Sequence, residues 1–224
     1  MSTPYRAPDP VTASIALGAA VGVFAVSFGV LATATGLSVL KACALSLLVF
    51  TGASQFTAVG VLHSGGTPAT AVGSALLLAA RNGAYGLTLS RRFQRSLPVR
   101  LVAAHLTIDE STAMATAQPD AERAEKAFWT TGLAVFVFWN LGTLMGALIG
   151  DHIGDPKRYG LDAAFPTGFV ALLLPQLRLR SARVAALIGA TVAVVLVPLT
   201  PVGVPILAAT VGAAVGCLRW SGQP

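Results

Sequence analysis

From Val11 to Ala34 the chain runs without a single charged residue. An α-helix needs about 20 apolar residues to cross the ~30 Å of hydrocarbon in a bilayer, and this stretch is long enough. Further apolar runs follow at Leu37–His63, Ala69–Leu89, Phe128–Gly150, Leu161–Leu177, Val184–Thr200 and Val202–Leu218. A soluble globule needs roughly 25% charged residues to cover its surface. Here only 11% are charged against 54% hydrophobic, and the mean hydropathy is +0.74. The expectation is an all-α, polytopic membrane helix bundle in a lipid bilayer, with about seven spans, some helices broken, and one polar re-entrant or amphipathic segment. Residues 1–224 form one integral membrane domain, of which 1–10 (MSTPYRAPDP) is a polar tail. The run after it is longer than a signal-peptide core and reads as the first span.

The net charge is +6. A basic balance can mark nucleic-acid binding, but the arginines sit between apolar runs, at Arg91, Arg92, Arg95 and Arg100 and at Arg178, Arg180 and Arg183. That is the pattern of cytoplasmic membrane flanks, so nucleic acid is excluded as a partner and loops 90–100 and 178–183 are expected in the cytoplasm. Leu101–Gln118 is too polar for an ordinary span, with His105, Asp109 and Glu110. If it crossed, the two arginine loops would face opposite sides. A segment that dips in and returns, or lies buried, keeps them together and gives a seven-span reading with the N-terminus outside and the C-terminus inside.

Polar groups inside apolar runs are costly and therefore informative. TGASQF (Thr51–Phe56) reads as a kink in the second span. Its small residues suit close helix contact, or a break offering backbone groups to a substrate. Arg81 and Asn82 lie well inside the third run; Arg81 either snorkels to the interface or pairs with a carboxylate. His105 and Asp109 are four apart, which on one continuous helix puts them on the same face. Asp109 and Glu110 are either solvated acids on an interfacial helix or buried carboxylates that carry protons or pair with Arg81. Asn140 reads as an interhelical hydrogen bond, and Asp162 as a helix N-cap.

No metal site or cofactor is expected, because the three histidines and two cysteines are scattered. Nor does an enzyme fit well: Ser54 in GASQ lacks the setting of an intramembrane nucleophile.

SFGVLATATGLS (Ser27–Ser38), SLLVFTGASQFTAVGVL (Ser46–Leu62), LTIDESTAMA (Leu106–Ala115), FWNLGTLMGALIGD and YGLDAAFPTGFVALLLPQLR together resemble the azaleucine-resistance (AzlC) family of branched-chain amino acid permeases. The resemblance runs along nearly the whole chain. It implies export of branched-chain amino acids, coupled to an ion gradient, with a small membrane partner of the AzlD type. One departure stands out. Where many members resemble N-L-R-H before a Tyr-Gly pair, this chain has Ala79-Ala80-Arg81-Asn82 and then Tyr85-Gly86, so a proton role for that histidine does not carry over.

The residues then expected to bind a small amino-acid substrate are Gly52, Ser54 and Gln55 through broken backbone, Arg81 and Asn82 at the charged end, and Phe28, Phe50 and Phe56 around the side chain. Asp109 and Glu110 are the candidates for ion coupling. A non-transporting structural subunit and an intramembrane enzyme are the alternatives, and self-association into a homo-oligomer is left open.

Overall fold

The computed structural model describes residues 9–90, 96–153, 170, 173–174, 177–178, 180–210 and 214. Every regular element among them is a helix: α1 Pro10–Ala34, α2 Val39–Leu48, α3 Gly52–His63, α4 Pro68–Ser90, α5 Leu97–His105, α6 Asp109–Thr116, α7 Ala121–Ile153 and α8 Arg180–Leu196. Residues 204–210 are also helical. The expected run Leu161–Leu177, with Asp162, lies almost wholly outside the described residues.

α1 and α7 are each long and apolar enough to cross a membrane. They form the axis of the fold and run parallel. Ser14 Oγ lies 2.7 Å from Thr131 Oγ1 near both N-terminal ends, Gly18 faces Ala134, and Val30 faces Gly150 towards both C-terminal ends. The helices meet backbone to backbone: a Cβ on Gly29 would collide with the Thr143 carbonyl, and one on Gly146 with that of Val26. Glycine is required there because contact between apolar helices in lipid depends on close packing. Large apolar side chains such as Val23, Leu40, Leu48, Leu76, Leu87 and Val194 point outward, an arrangement a soluble surface seldom tolerates over so wide an area.

The run Leu37–His63 departs from expectation. It is not one kinked span but two short helices, interrupted at 49–51, so most of TGASQF is the first turn of α3 instead of the break. α2 starts at Ser38, whose side chain accepts from Lys41 N–H. It descends beside α7, with Ser46 Oγ donating to Thr143 Oγ1 at 3.2 Å. At the interruption Phe50 meets Phe136, ring centroids 5.0 Å apart. The chain then doubles back. Gln55 Nε2 donates to the Leu45 and Val49 carbonyls, each at 3.1 Å, a reach that a straight rod of 1.5 Å rise per residue would forbid. α3 and α4 follow as an antiparallel pair closed by the turn at 64–67.

Leu97–Thr116 does the same from the other end. Val99 shares a surface groove with Glu122, Lys126 and Trp129 near the start of α7. His105 has reached the level of Phe136, at 5.7 Å, and Leu106 packs on Gly132. After residues 106–108, α6 returns to the start of α7. The interruption puts His105 and Asp109 on different helices, so the expected shared face does not exist. Its corner is held by Ser111, which accepts from Ile108 N–H at 3.1 Å and donates to the Leu106 carbonyl at 2.7 Å.

The fold is thus a long helix followed by a hairpin that enters where that helix ended, and then the same arrangement inverted: α1 with α2–α3, α4 with α5–α6. The two tips meet at mid-height, where Phe50 and His105 lie 5.9 Å apart. Among the described residues, the start of α1, the starts of α5 and α7 and the end of α4 all lie at one end of the bundle, whereas the expected orientation put the N-terminus and loop 90–100 on opposite sides.

Candidate functional site

The meeting of the two tips leaves a partly open cavity of about 260 Å³, lined by α1, α3, α4, α6, α7 and the interruption at 49–51. Such a volume is near the small end of ligand pockets, roughly 300–1,000 Å³. Its wall divides into an apolar part and a polar one.

The apolar part is built by Phe24, Phe50, Phe56, Ile108, Val135 and Trp139. Phe56 lies 4.8 Å from Phe24 and 5.4 Å from Phe28, centroid to centroid. Trp139 closes the cluster. Its Nε1–H donates to Gln55 Oε1 at 2.8 Å, and its six-membered ring lies over Gly52, where a Cβ would come within 2.7 Å of Cη2. Trp139 sits in the middle of an apolar helix, and sequence alone does not separate it from a core or lipid-facing aromatic. Its one signal is that a buried indole N–H needs an acceptor.

The polar part comes from α4 and α6. Arg81 donates from an Nη to Asp109 Oδ2 at 2.9 Å, with the two side chains 32% and 31% exposed. Asn82 and Glu110 stand beside them on the cavity wall. Asp109 and Glu110 open the first turn of α6, where the helix dipole favours negative charge. Among the described residues, the atoms Arg81 Nε, Asn82 Oδ1 and Asp109 Oδ1 are buried and have no hydrogen-bond partner. A buried polar atom left unpaired costs about 1–3 kcal/mol, so three around one cavity mark a demand for an occupant carrying both an acceptor and donors. The start of α3 adds to this. Thr51 provides no side-chain cap and the first turn has no acid, so the leading amides of α3, at the edge of the cavity, keep the positive end of the dipole open.

Of the residues singled out in the sequence, Gly52, Phe50, Phe56, Arg81, Asn82, Asp109 and Glu110 line this cavity. Ser54, Gln55 and Phe28 stand behind its wall. Ser54 Oγ is 3.2 Å from Thr51 Oγ1. Gln55 is fully buried, with its amide committed to carbonyls of the α2 end and its oxygen to Trp139. Phe28 stacks on Trp139 at 6.1 Å. Asn140 bonds the Phe136 carbonyl of its own helix at 2.7 Å, not a neighbour. Phe24 and Trp139 were not anticipated.

Residues 16–153 match the family described as AzlC protein, a segment that contains both hairpins and every residue of the cavity. This chain belongs to the AzlC family. Its relatives are named as membrane proteins. The Inner membrane protein YgaZ of Escherichia coli is 31% identical over 217 residues, covering 89% of this chain and 86% of that one. An uncharacterized membrane protein of Archaeoglobus fulgidus is 34% identical over 205 residues, covering 89% and 88%. One from Helicobacter pylori is 28% identical over 193 residues, covering 85% and 83%. No solved structure matches. The AzlC family is one of membrane transport-related proteins, and a permease-like role follows at that level.

Proposed function

We propose that the protein is a secondary transporter, not an enzyme, that exports branched-chain or similarly small apolar amino acids across the cytoplasmic membrane, coupled to an ion gradient. The observation that carries this reading is the pairing of unsatisfied groups with an aromatic wall in one cavity. Among the described residues Arg81 Nε is a donor without a partner, and Asn82 Oδ1 and Asp109 Oδ1 are acceptors without one. An α-amino acid brings the complement, a carboxylate that accepts and an ammonium that donates. The carboxylate would lie against Arg81 and the leading amides of α3, and the ammonium against Asn82 and Asp109. The apolar side chain would point to Phe24, Phe56 and Trp139. Glu110 is left as the acid for ion coupling, with Asp109 taking part when the substrate leaves.

The two hairpins support alternating access. In this reading each is re-entrant and enters the bilayer from its own side, as in transporters built from inverted repeats with a site at the midplane. The arginine loop 90–100 and loop 178–183 are cytoplasmic, and the N-terminus joins loop 90–100 there. The small AzlD-like subunit that the family resemblance implies would cover part of the outward-facing apolar surface.

The deciding experiment is transport of radiolabelled leucine by purified protein in liposomes, with and without the small subunit, under imposed proton and sodium gradients. Gradient-dependent leucine flux that Arg81→Ala removes is expected. A protein that neither binds nor moves leucine in either setting would be a structural subunit instead.

A further inference from the structure

Resting on the transporter reading above, we infer that Trp139 sets the upper size limit of the transported side chain, and that Gln55 and Gly52 act as its positioning residues. Three observations converge. Trp139 forms part of the apolar wall of the cavity that Arg81, Asn82 and Asp109 also line. It is held in one pose: the indole N–H is fixed by Gln55 at 2.8 Å, and Gln55 is fixed in turn by the Leu45 and Val49 carbonyls. The ring itself rests on the bare Cα of Gly52, where no Cβ would fit without moving it. Phe28 backs it at 6.1 Å with the planes 25° apart.

A wall pinned in this way rejects by size. A flexible wall would repack around a larger side chain, and a methionine-rich one does so readily. A buried indole bonded at one edge and seated on backbone at the other has nowhere to go, because interiors at crystal-like density pass strain on instead of absorbing it. A cavity of about 260 Å³ leaves little room for a side chain as large as phenylalanine's while the indole stays in place. The same anchoring explains why Gln55, although it does not touch the cavity, belongs to selectivity. It ties the wall on α7 to the tip of the α2–α3 hairpin, so the wall stays in register with the hairpin that carries the start of α3.

The test is the ratio of phenylalanine to leucine transport in liposomes, with alanine and valine as smaller competitors. Trp139→Phe keeps an aromatic ring and opens space; it is expected to raise the phenylalanine-to-leucine ratio about tenfold or more, the scale of discrimination by one or two methylenes. Gly52→Ala presses the indole into the cavity and is expected to shift the ratio the opposite way, towards alanine and valine. Phe128→Leu removes a comparable buried ring of α7 that does not line the cavity and should leave the ratio where it was. An unchanged ratio in both Trp139→Phe and Gly52→Ala, with leucine still carried, overturns the assignment, as does an equal shift in Phe128→Leu. Wild-type protein that carries none of these amino acids instead overturns the transporter reading on which the assignment stands.

Discussion

Arg81 on α4 and Asp109 on α6, the long helix and the returning hairpin arm of one half of the fold, hold each other at 2.9 Å on the wall of the central cavity. Each is the other's counter-charge, and each keeps one further atom unpaired, Nε and Oδ1. Arg81→Ala should therefore weaken leucine binding roughly ten- to a hundredfold, the worth of one charged hydrogen bond at about 1.5–3 kcal/mol. Arg81→Lys should recover only part of it, since an ammonium lacks the planar fork that serves Asp109 and a substrate carboxylate together. Equilibrium binding on detergent-solubilised protein measures both. Wild-type affinity in Arg81→Ala would remove the guanidinium from the head-group site. The loss of stability should be small, because solvent reaches about a third of each side chain.

Gln55 makes the opposite forecast, a large structural effect. It is fully buried and serves the carbonyls at the end of α2 and the indole N–H of Trp139 at once. Gln55→Leu leaves these groups unpaired at about 1–3 kcal/mol each. Gln55→Glu should be worse still, since a carboxylate would face carbonyl oxygens where the amide donated. Thermal unfolding in detergent should rank wild type above Gln55→Leu and that above Gln55→Glu. A Gln55→Glu protein as stable as wild type would mean that the hairpin is not held at this point.

The parallel contact of α1 and α7 gives a third forecast. Gly146 lies so close to Val26 that a Cβ would strike its carbonyl. Gly146→Ala must part the two axial helices, and overpacking of this kind costs typically 1–3 kcal/mol. Gly83, whose added Cβ would meet nothing within 4 Å among the described residues, is the matched control, and Gly83→Ala should be neutral or slightly stabilising through helix propensity. Detergent-stable yield and unfolding temperature separate the two. Equal behaviour would show the α1–α7 contact to be looser than described.

The charged half of the cavity was legible in the sequence because physics makes it conspicuous. Arg81, Asn82, Asp109 and Glu110 sit in surroundings where lipid would not solvate them, and they meet. The polar break near Gly52 was legible for the same reason, although its position was not: the interruption falls on 49–51, ahead of TGASQF, because Gly52 begins the next helix. Trp139 was hidden, since an aromatic residue in an apolar run looks the same whether it faces lipid, core or cavity. Direction was hidden too. Leu37–His63 has the composition and length of one span, and hydropathy records how much apolar chain there is, not whether it turns back. That step depended on contacts such as Gln55 with Leu45, which no pattern of residue types reveals. It also decides the expected side of the N-terminus, since one crossing more or fewer inverts everything before it.

The doubling back of α2–α3 yields the sharpest prediction of topology. Ser38 precedes α2 and Ser64 follows α3. If the segment crossed the bilayer, single cysteines at these positions would label from opposite faces. In the hairpin arrangement both lie at the end of the bundle where α1 finishes, and Gln118, between α6 and α7, lies at the other end. In a background with Cys43 and Cys217 replaced, Ser38→Cys and Ser64→Cys should react with a membrane-impermeant maleimide from the same face, and Gln118→Cys from the opposite one. With loop 90–100 in the cytoplasm, Ser38 and Ser64 label from outside in intact cells and Gln118 only after permeabilisation. Labelling of Ser38 and Ser64 from different faces would restore the single span and dismantle the inverted pair of hairpins. The cavity would then lose the geometry that brings the start of α3 to the same wall as Arg81 and Asp109, and alternating access through two opposed tips would no longer have its moving parts.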